Sequence, residues 1–283
     1  MQHPSLLIAG CGDVGNRLAS QLHACQWIVH GLRRDVSRLS VAALPVPGDL
    51  AQHDCPAAWP VQLDYLVFCA APSRGDEAGY RATYVAGLQQ VLAWLASRGQ
   101  RPRRLLFVSS TGVYGQSDGE WVDEQSPALA DSFSGQILRE AEQLAWRSGL
   151  PATCVRLAGI YGPGRHWLLN QVRQGYRAPS QPALYGNRIH ADDAAGLLAF
   201  LLQADWRGLP LADCYLGVDD QPAPLHEVVD WLRAQLQVST QLPAGLMRRA
   251  GNKRCSNQRL RALGWQPRYP SYREGYTALL QGD

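Results

Sequence analysis

Lysine is almost absent from this chain: of 27 basic residues only Lys253 is a lysine. Any mechanism that needs a lysine therefore has a single candidate. Long apolar runs are missing too. The longest, around Leu197 to Leu202, falls far short of the ~20 residues that cross a bilayer, so no membrane association is expected. No basic segment with a cleavage site precedes the first apolar strand, and a cytoplasmic location is the expectation. The cysteines, at 11, 25, 55, 69, 154, 214 and 255, form no Cys-x-x-Cys pair and mostly sit inside apolar strands. That pattern suits a reducing compartment without structural zinc. No His/Cys/Asp set has ligand spacing, so no metal is expected. The arginines are scattered rather than gathered into a run with aromatics, and the net charge is only +3. A nucleic-acid platform is disfavoured, and an anionic small-molecule substrate is compatible.

What is present is a globular composition, 46% hydrophobic and 18% charged, with short apolar runs alternating with segments of helical period. The spacing predicts strands at Leu6–Ala9, Trp27–Gly31, Tyr65–Ala70, Leu105–Val108 and Thr153–Leu157. Between them fall helices from about Asn16 to Gln26, through Val85, Leu88, Leu92 and Leu95, and from about Ser132 to Arg147. Repeated βαβ units of this kind imply an α/β fold, a Rossmann-type doubly wound parallel sheet. Beyond Tyr161 the order loosens, with helices near Asp192–Gln203 and Leu225–Leu236 and a strand at Cys214–Val218. The expected division is a dinucleotide-binding core at 1–160 and 186–207, and a smaller C-terminal substrate lobe at 161–185 and 208–283.

Gly10-Cys11-Gly12-Asp13-Val14-Gly15 is a G-x-G-x-x-G placed between the first strand and the first helix. Its glycines allow a tight turn, close backbone approach to a pyrophosphate and close packing of helix on strand, while the helix N-terminus faces the anion. Gly10, Gly12, Asp13, Val14 and Gly15 are the expected cradle. The second strand runs into Arg33 and Arg34 with no carboxylate before Asp35. Arginine there can fork onto a 2′-phosphate that a carboxylate would repel, so NADP(H) is expected over NAD(H). The nearby Asp35 keeps NAD(H) open.

This loop, with Ser109-Ser110-Thr111-Gly112-Val113-Tyr114-Gly115, Arg156-Leu157-Ala158-Gly159-Ile160-Tyr161-Gly162-Pro163-Gly164 and Arg188-Ile189-His190-Ala191-Asp192-Asp193, resembles the extended short-chain dehydrogenase/reductases. The nearer resemblance is to the NAD-dependent epimerase/dehydratase branch, many members of which act on nucleotide sugars. The resemblance implies that Asp49 and Leu50 flank the adenine, that Ala70, Ala71 and Pro72 line the middle of the cofactor, and that Ser110 hydrogen-bonds the reacting oxygen. It also implies a homodimer through the helices at 78–98 and 132–147.

The chain departs from that family at the expected catalytic helix. The family's Tyr-x-x-x-Lys falls on Ser134 and Leu138, and a serine hydroxyl without a neighbouring cation cannot replace a phenol as general base. The acidic pair that dehydratases carry after the Ser is Thr111-Gly112 here, which disfavours sugar dehydration. Tyr114 is a second catalytic candidate beside Ser110, while Thr111, Tyr161 and Arg188 are candidate substrate contacts. His190 reads as structural, with Asp192 and Asp193 at a helix start. Lys253 reads as a phosphate or surface contact. Two functions remain open: an atypical enzyme acting with NADP(H) on a nucleotide-sugar-like or other anionic substrate, or a non-catalytic NADP(H) sensor or scaffold.

Overall fold

The computed structural model describes residues 3–240 and 252–282; the part of the expected late lobe at 241–251 lies outside the described residues. The first half contains β1 (Ser5–Ala9), α1 (Asp13–His23), β2 (Ile28–Arg33), β3 (Leu44–Pro47), β4 (Tyr65–Phe68), α2 (Glu77–Tyr80), α3 (Gly87–Ser97), β5 (Arg104–Ser110), β6 (Glu120–Val122) and α4 (Phe133–Trp146). It is followed by β7 (Ala152–Leu157), β8 (Gly159–Tyr161), α5 (Trp167–Arg173), β9 (Tyr185–Gly186), β10 (Arg188–His190) and α6 (Ala191–Trp206). The chain then runs through β11 (Cys214–Gly217), β12 (Ala223–Pro224), α7 (Leu225–Gln235), β13 (Lys253–Cys255), α8 (Gln258–Leu263) and α9 (Tyr272–Gly282). A turn of π-helix, Arg81–Ala86, joins α2 to α3.

Seven parallel strands form the main sheet in the order β11-β7-β5-β4-β1-β2-β3. The order reverses between β1 and β4, because the chain first winds outward to β3 and then returns to the other side of β1. Such a switch point opens a crevice at the carboxyl ends of the two strands, where ligands of doubly wound sheets bind. Strand Cys214–Gly217, assigned from sequence to the late lobe, pairs with β7 as the edge of this sheet. Leu44–Pro47 is a strand that the sequence pattern does not announce: it contains two prolines, which cannot donate to a ladder, and it sits at the other edge, where that is tolerated.

Alternation along β1 divides the core. Leu7 and Ala9 face α3 and α4, packing in one cluster with Leu88, Val91, Trp94, Ile137, Leu138 and Ala141. Leu6 and Ile8 face the other way, toward Leu18 and Leu22 of α1 and Leu197, Leu198 and Leu201 of α6. A third cluster joins Leu169 and Val172 of α5 to Val228, Val229 and Leu232 of α7 and Tyr272 and Tyr276 of α9.

Candidate functional site: a cleft over the glycine loop

The crevice is a cleft of about 750 Å³ whose floor is the Gly10–Val14 turn. Each glycine has a distinct mechanical reason. Gly10 has φ +80, and a Cβ there would run into the backbone of Ala70 at the end of β4. Gly12 has nothing nearer to such a Cβ than its own loop's Gly10 carbonyl at 4.0 Å, so its face is open to a ligand. Gly15 lies beneath, where a Cβ would press on Cys11 Sγ and Ile8 Cγ2 at 3.1 Å. Open backbone above, close packing below and the N-terminus of α1 alongside are what a dinucleotide pyrophosphate requires, and the residues present fit that group.

Of the residues expected at the cofactor, Gly10, Gly12, Asp13, Val14, Arg33, Arg34, Asp49, Leu50, Ala70 and Ala71 line the cleft. Gly15 supports it from below, and Pro72 is outside the lining. The two arginines diverge, as consecutive residues leaving a strand do. Arg33 folds inward, its Nη1 donating to the carbonyls of Cys11 at 3.0 Å and Arg38 at 3.3 Å. It is thereby a brace of the glycine loop. Arg34 is exposed in the cleft lining, and Arg38, which no sequence motif marks, joins it there. Asp35 also lines the cleft, but its Oδ1 accepts from Ser37 N at 3.2 Å and from Ser37 Oγ at 2.6 Å. The Ser37 hydroxyl first, then the backbone amide and nearby arginines, hold that carboxyl below its ordinary value.

At the other end the cleft is lined by Ser109, Ser110, Leu157, Ala158 and Ile160, and by Ala82, Thr83 and Tyr84 from the π-helical turn. Ser110 Oγ accepts from Gly112 N at 3.0 Å, which leaves its own O–H available. The other catalytic candidate is elsewhere. Tyr114 is 2% exposed, and its hydroxyl donates to the Asp123 carbonyl at 2.7 Å and accepts from Arg156 Nη1 at 2.7 Å. Those bonds belong to a buried network centred on Glu142, whose Oε1 accepts from Ser109 Oγ at 2.7 Å and Arg156 Nε at 2.8 Å, while Oε2 accepts from Arg156 Nη2 at 2.8 Å and Arg139 Nη1 at 2.6 Å. Tyr114 is a packing residue under the turn. Leu138, at the place of the family's lysine, is 5% exposed and lies in the core below α4, and Ser134 is paired with Ser132 Oγ at 3.2 Å.

The candidate substrate contacts do not converge on the cleft lining. Thr111 is buried in the turn after β5, with its carbonyl accepting from Tyr114 N. Tyr161 packs at 4.6 Å on Tyr276 and 5.3 Å from His190 within the third cluster. Arg188 is 4% exposed; its guanidinium stands 5.7 Å from the Tyr272 ring, and neither Nη has a hydrogen-bond partner among the described residues. Its neighbour Asp219 is equally enclosed, with Oδ2 unpartnered among the described residues; burial pushes that carboxyl up to about 8 against the opposing pull of Arg188. His190 caps α6, its Nδ1 accepting from Asp192 N at 3.2 Å, and Asp193 accepts from the amides of Arg268 and Tyr269 at 2.7 and 2.9 Å. Lys253 is not a surface contact. It is 3% exposed because β13 runs beside β6, and its Nζ donates to the Tyr114 carbonyl at 3.0 Å.

The profile of the NAD dependent epimerase/dehydratase family matches residues 6–210, and the chain belongs to that family. Protein YeeZ of Escherichia coli (strain K12) is 32% identical over 212 residues, which is 70% of this chain and 72% of that protein. A 3-diazoavenalumate denitrifying reductase of Streptomyces sp. is 26% identical over 303 residues, covering 95% of this chain and 98% of the relative. A solved structure from Methylobacillus flagellatus, provisionally described as an NAD-dependent epimerase/dehydratase, superposes with a TM-score of 0.81 at 36% identity over 99% of both chains.

Proposed function

We propose that the protein is a dinucleotide-dependent oxidoreductase that prefers NADP(H) and acts on an anionic, nucleotide-sugar-like substrate without the tyrosine–lysine pair of its family. The observation that carries the reading is one cleft with the glycine cradle at its centre, Arg34 and Arg38 at one end, and Ser110 and Tyr84 at the other. The two guanidiniums suit a 2′-phosphate, and Asp35 is engaged with Ser37. When bound, the nicotinamide supplies or accepts the hydride. Ser110 orients the reacting oxygen with the O–H that Gly112 leaves unused. Among the described residues Tyr84 is the one tyrosine lining the cleft, and its phenol is the donor in this reading. Arg188, buried with both Nη atoms unpartnered among the described residues, is in this reading a reserve of positive charge for an anionic substrate group on the lobe side.

A second reading, a non-catalytic NADP(H) sensor or scaffold, draws on Leu138, whose packing into the core leaves no ammonium on α4. The two are separated by following the absorbance of NADPH with a panel of anionic carbonyl compounds. Turnover that Ser110→Ala and Tyr84→Phe abolish, with NADPH affinity kept, supports the enzyme. Tight NADPH binding with no turnover on any compound favours the sensor.

A further inference from the structure

The cleft holds a cation that comes from outside the family's cofactor loop. Arg165 lies on the turn at 162–166 after β8 and reaches the cleft beside Asp13, the first residue of α1. Its Nε donates to Asp13 Oδ2 at 3.0 Å, and both side chains are 39% exposed. Asp13 takes a second guanidinium on its other oxygen, Arg17 Nε at 2.9 Å, and Arg17 is fastened in turn to Asp192 by Nη1 at 2.5 Å. Arg17 is thus pinned from two sides. Arg165, among the described residues, is held by Asp13 alone.

The position of Asp13 makes this arrangement informative. Burial by itself would raise its carboxyl, but the hydrogen bonds from Arg165 and Arg17 outweigh that and hold it below the ordinary value, so it is charged at neutral pH. A carboxylate in the first turn of a helix is favourable to the helix, yet it stands where two pyrophosphate charges would arrive and repels them. A partly exposed arginine on the same carboxylate resolves the conflict, since its planar fork matches a phosphate as well as a carboxylate. The turn that carries it is shaped by Gly162 at φ +143 and Gly164 at φ +79, which bring the chain back across the N-terminus of α1.

We propose that Arg165 is a cofactor-binding residue that Asp13 keeps at the cleft and that transfers its guanidinium from Asp13 to the dinucleotide's pyrophosphate. The inference rests on the dinucleotide reading above. It is tested by titrating the full chain, Arg165→Ala and Asp13→Asn with NADPH and with 2′-AMP, a probe that carries the 2′-phosphate but no pyrophosphate. A lost charge-assisted pair predicts NADPH binding weakened about tenfold in Arg165→Ala, with 2′-AMP affinity within about twofold of wild type, and NADPH binding tightened in Asp13→Asn. NADPH affinity within about twofold of wild type in Arg165→Ala overturns the inference while leaving the dinucleotide reading intact. Equal losses for both probes also overturn it, because they would make Arg165 only a tie that holds the loop. Failure of the wild type to bind NADPH would sink the dinucleotide reading and this inference together.

Discussion

Replacing Glu142 by Gln should be among the most damaging single changes to the fold, although Glu142 touches no ligand. Its carboxylate is 0% exposed and answers Arg156, 4% exposed, through two hydrogen bonds of 2.8 Å. It also accepts from Ser109 and Arg139. Burial alone would depress the Arg156 guanidinium; the bonds it donates to the Glu142 carboxylate reverse that and hold it above its ordinary value. The amide of Gln has no charge and one acceptor fewer, so Arg156 remains buried with its charge uncompensated. Removing one member of a buried pair costs about 3–5 kcal/mol, and at roughly 2–4 °C per kcal/mol for a chain somewhat shorter than this one the midpoint should fall by about 10 °C. Denaturant titration of wild type, Glu142→Gln and the double variant Glu142→Leu/Arg156→Leu measures this. The double variant should recover most of the loss, since desolvation of both charges is then avoided. A cost under about 1 kcal/mol for Glu142→Gln, or a double variant less stable than the single one, would refute the reasoning.

Two further outcomes follow from the same structure. Tyr114→Phe removes a hydroxyl that serves Asp123 and Arg156; it should cost about 1–3 kcal/mol of stability and leave NADPH affinity unchanged, which a titration of the variant checks. Asp219 has its folded carboxyl raised, chiefly by burial, to about 8, well above the ~3.9 of an unfolded chain. Between those values the folded state holds a proton that the unfolded state has released, so this group's contribution to stability falls as pH rises from about 4 to about 8. Asp219→Asn should therefore raise the melting temperature relative to wild type at pH 8 and make little difference near pH 4; an advantage that is the same at both would contradict the assignment.

The sheet was legible because apolar runs and helical spacing are local properties. Leu6–Ala9, Tyr65–Ala70 and Thr153–Leu157 reveal themselves within a few residues, and the three glycines carry their own mechanical reasons. Leu44–Pro47 was hidden by its prolines, which are acceptable only because the strand is an edge. The π-helical turn at Arg81–Ala86 was hidden for a different reason: Val85, Leu88, Leu92 and Leu95 keep a helical period straight through it, so nothing in the pattern shows that Tyr84 turns toward the cleft. Arg33 and Arg34 look equivalent as neighbours in sequence and both line the cleft, and only the direction of each side chain makes Arg33 a brace of the glycine loop and leaves Arg34 exposed. Tyr114, Tyr161 and Lys253 were misplaced for a common reason. Their burial is decided by distant segments, Arg156, Tyr276 and the β6–β13 pairing, which local spacing does not contain.

The central claim is that the glycine cleft binds NADP(H) through a cation pair at its adenosine end. Fluorescence titration of the wild type, Arg34→Ala and Arg38→Ala with NADPH and NADH in parallel tests it most directly. The account predicts tighter binding of NADPH than of NADH, with the preference reduced about tenfold or more in either variant and NADH binding little changed. Equal affinity of the wild type for both nucleotides, or a preference that survives unchanged in both variants, would contradict it.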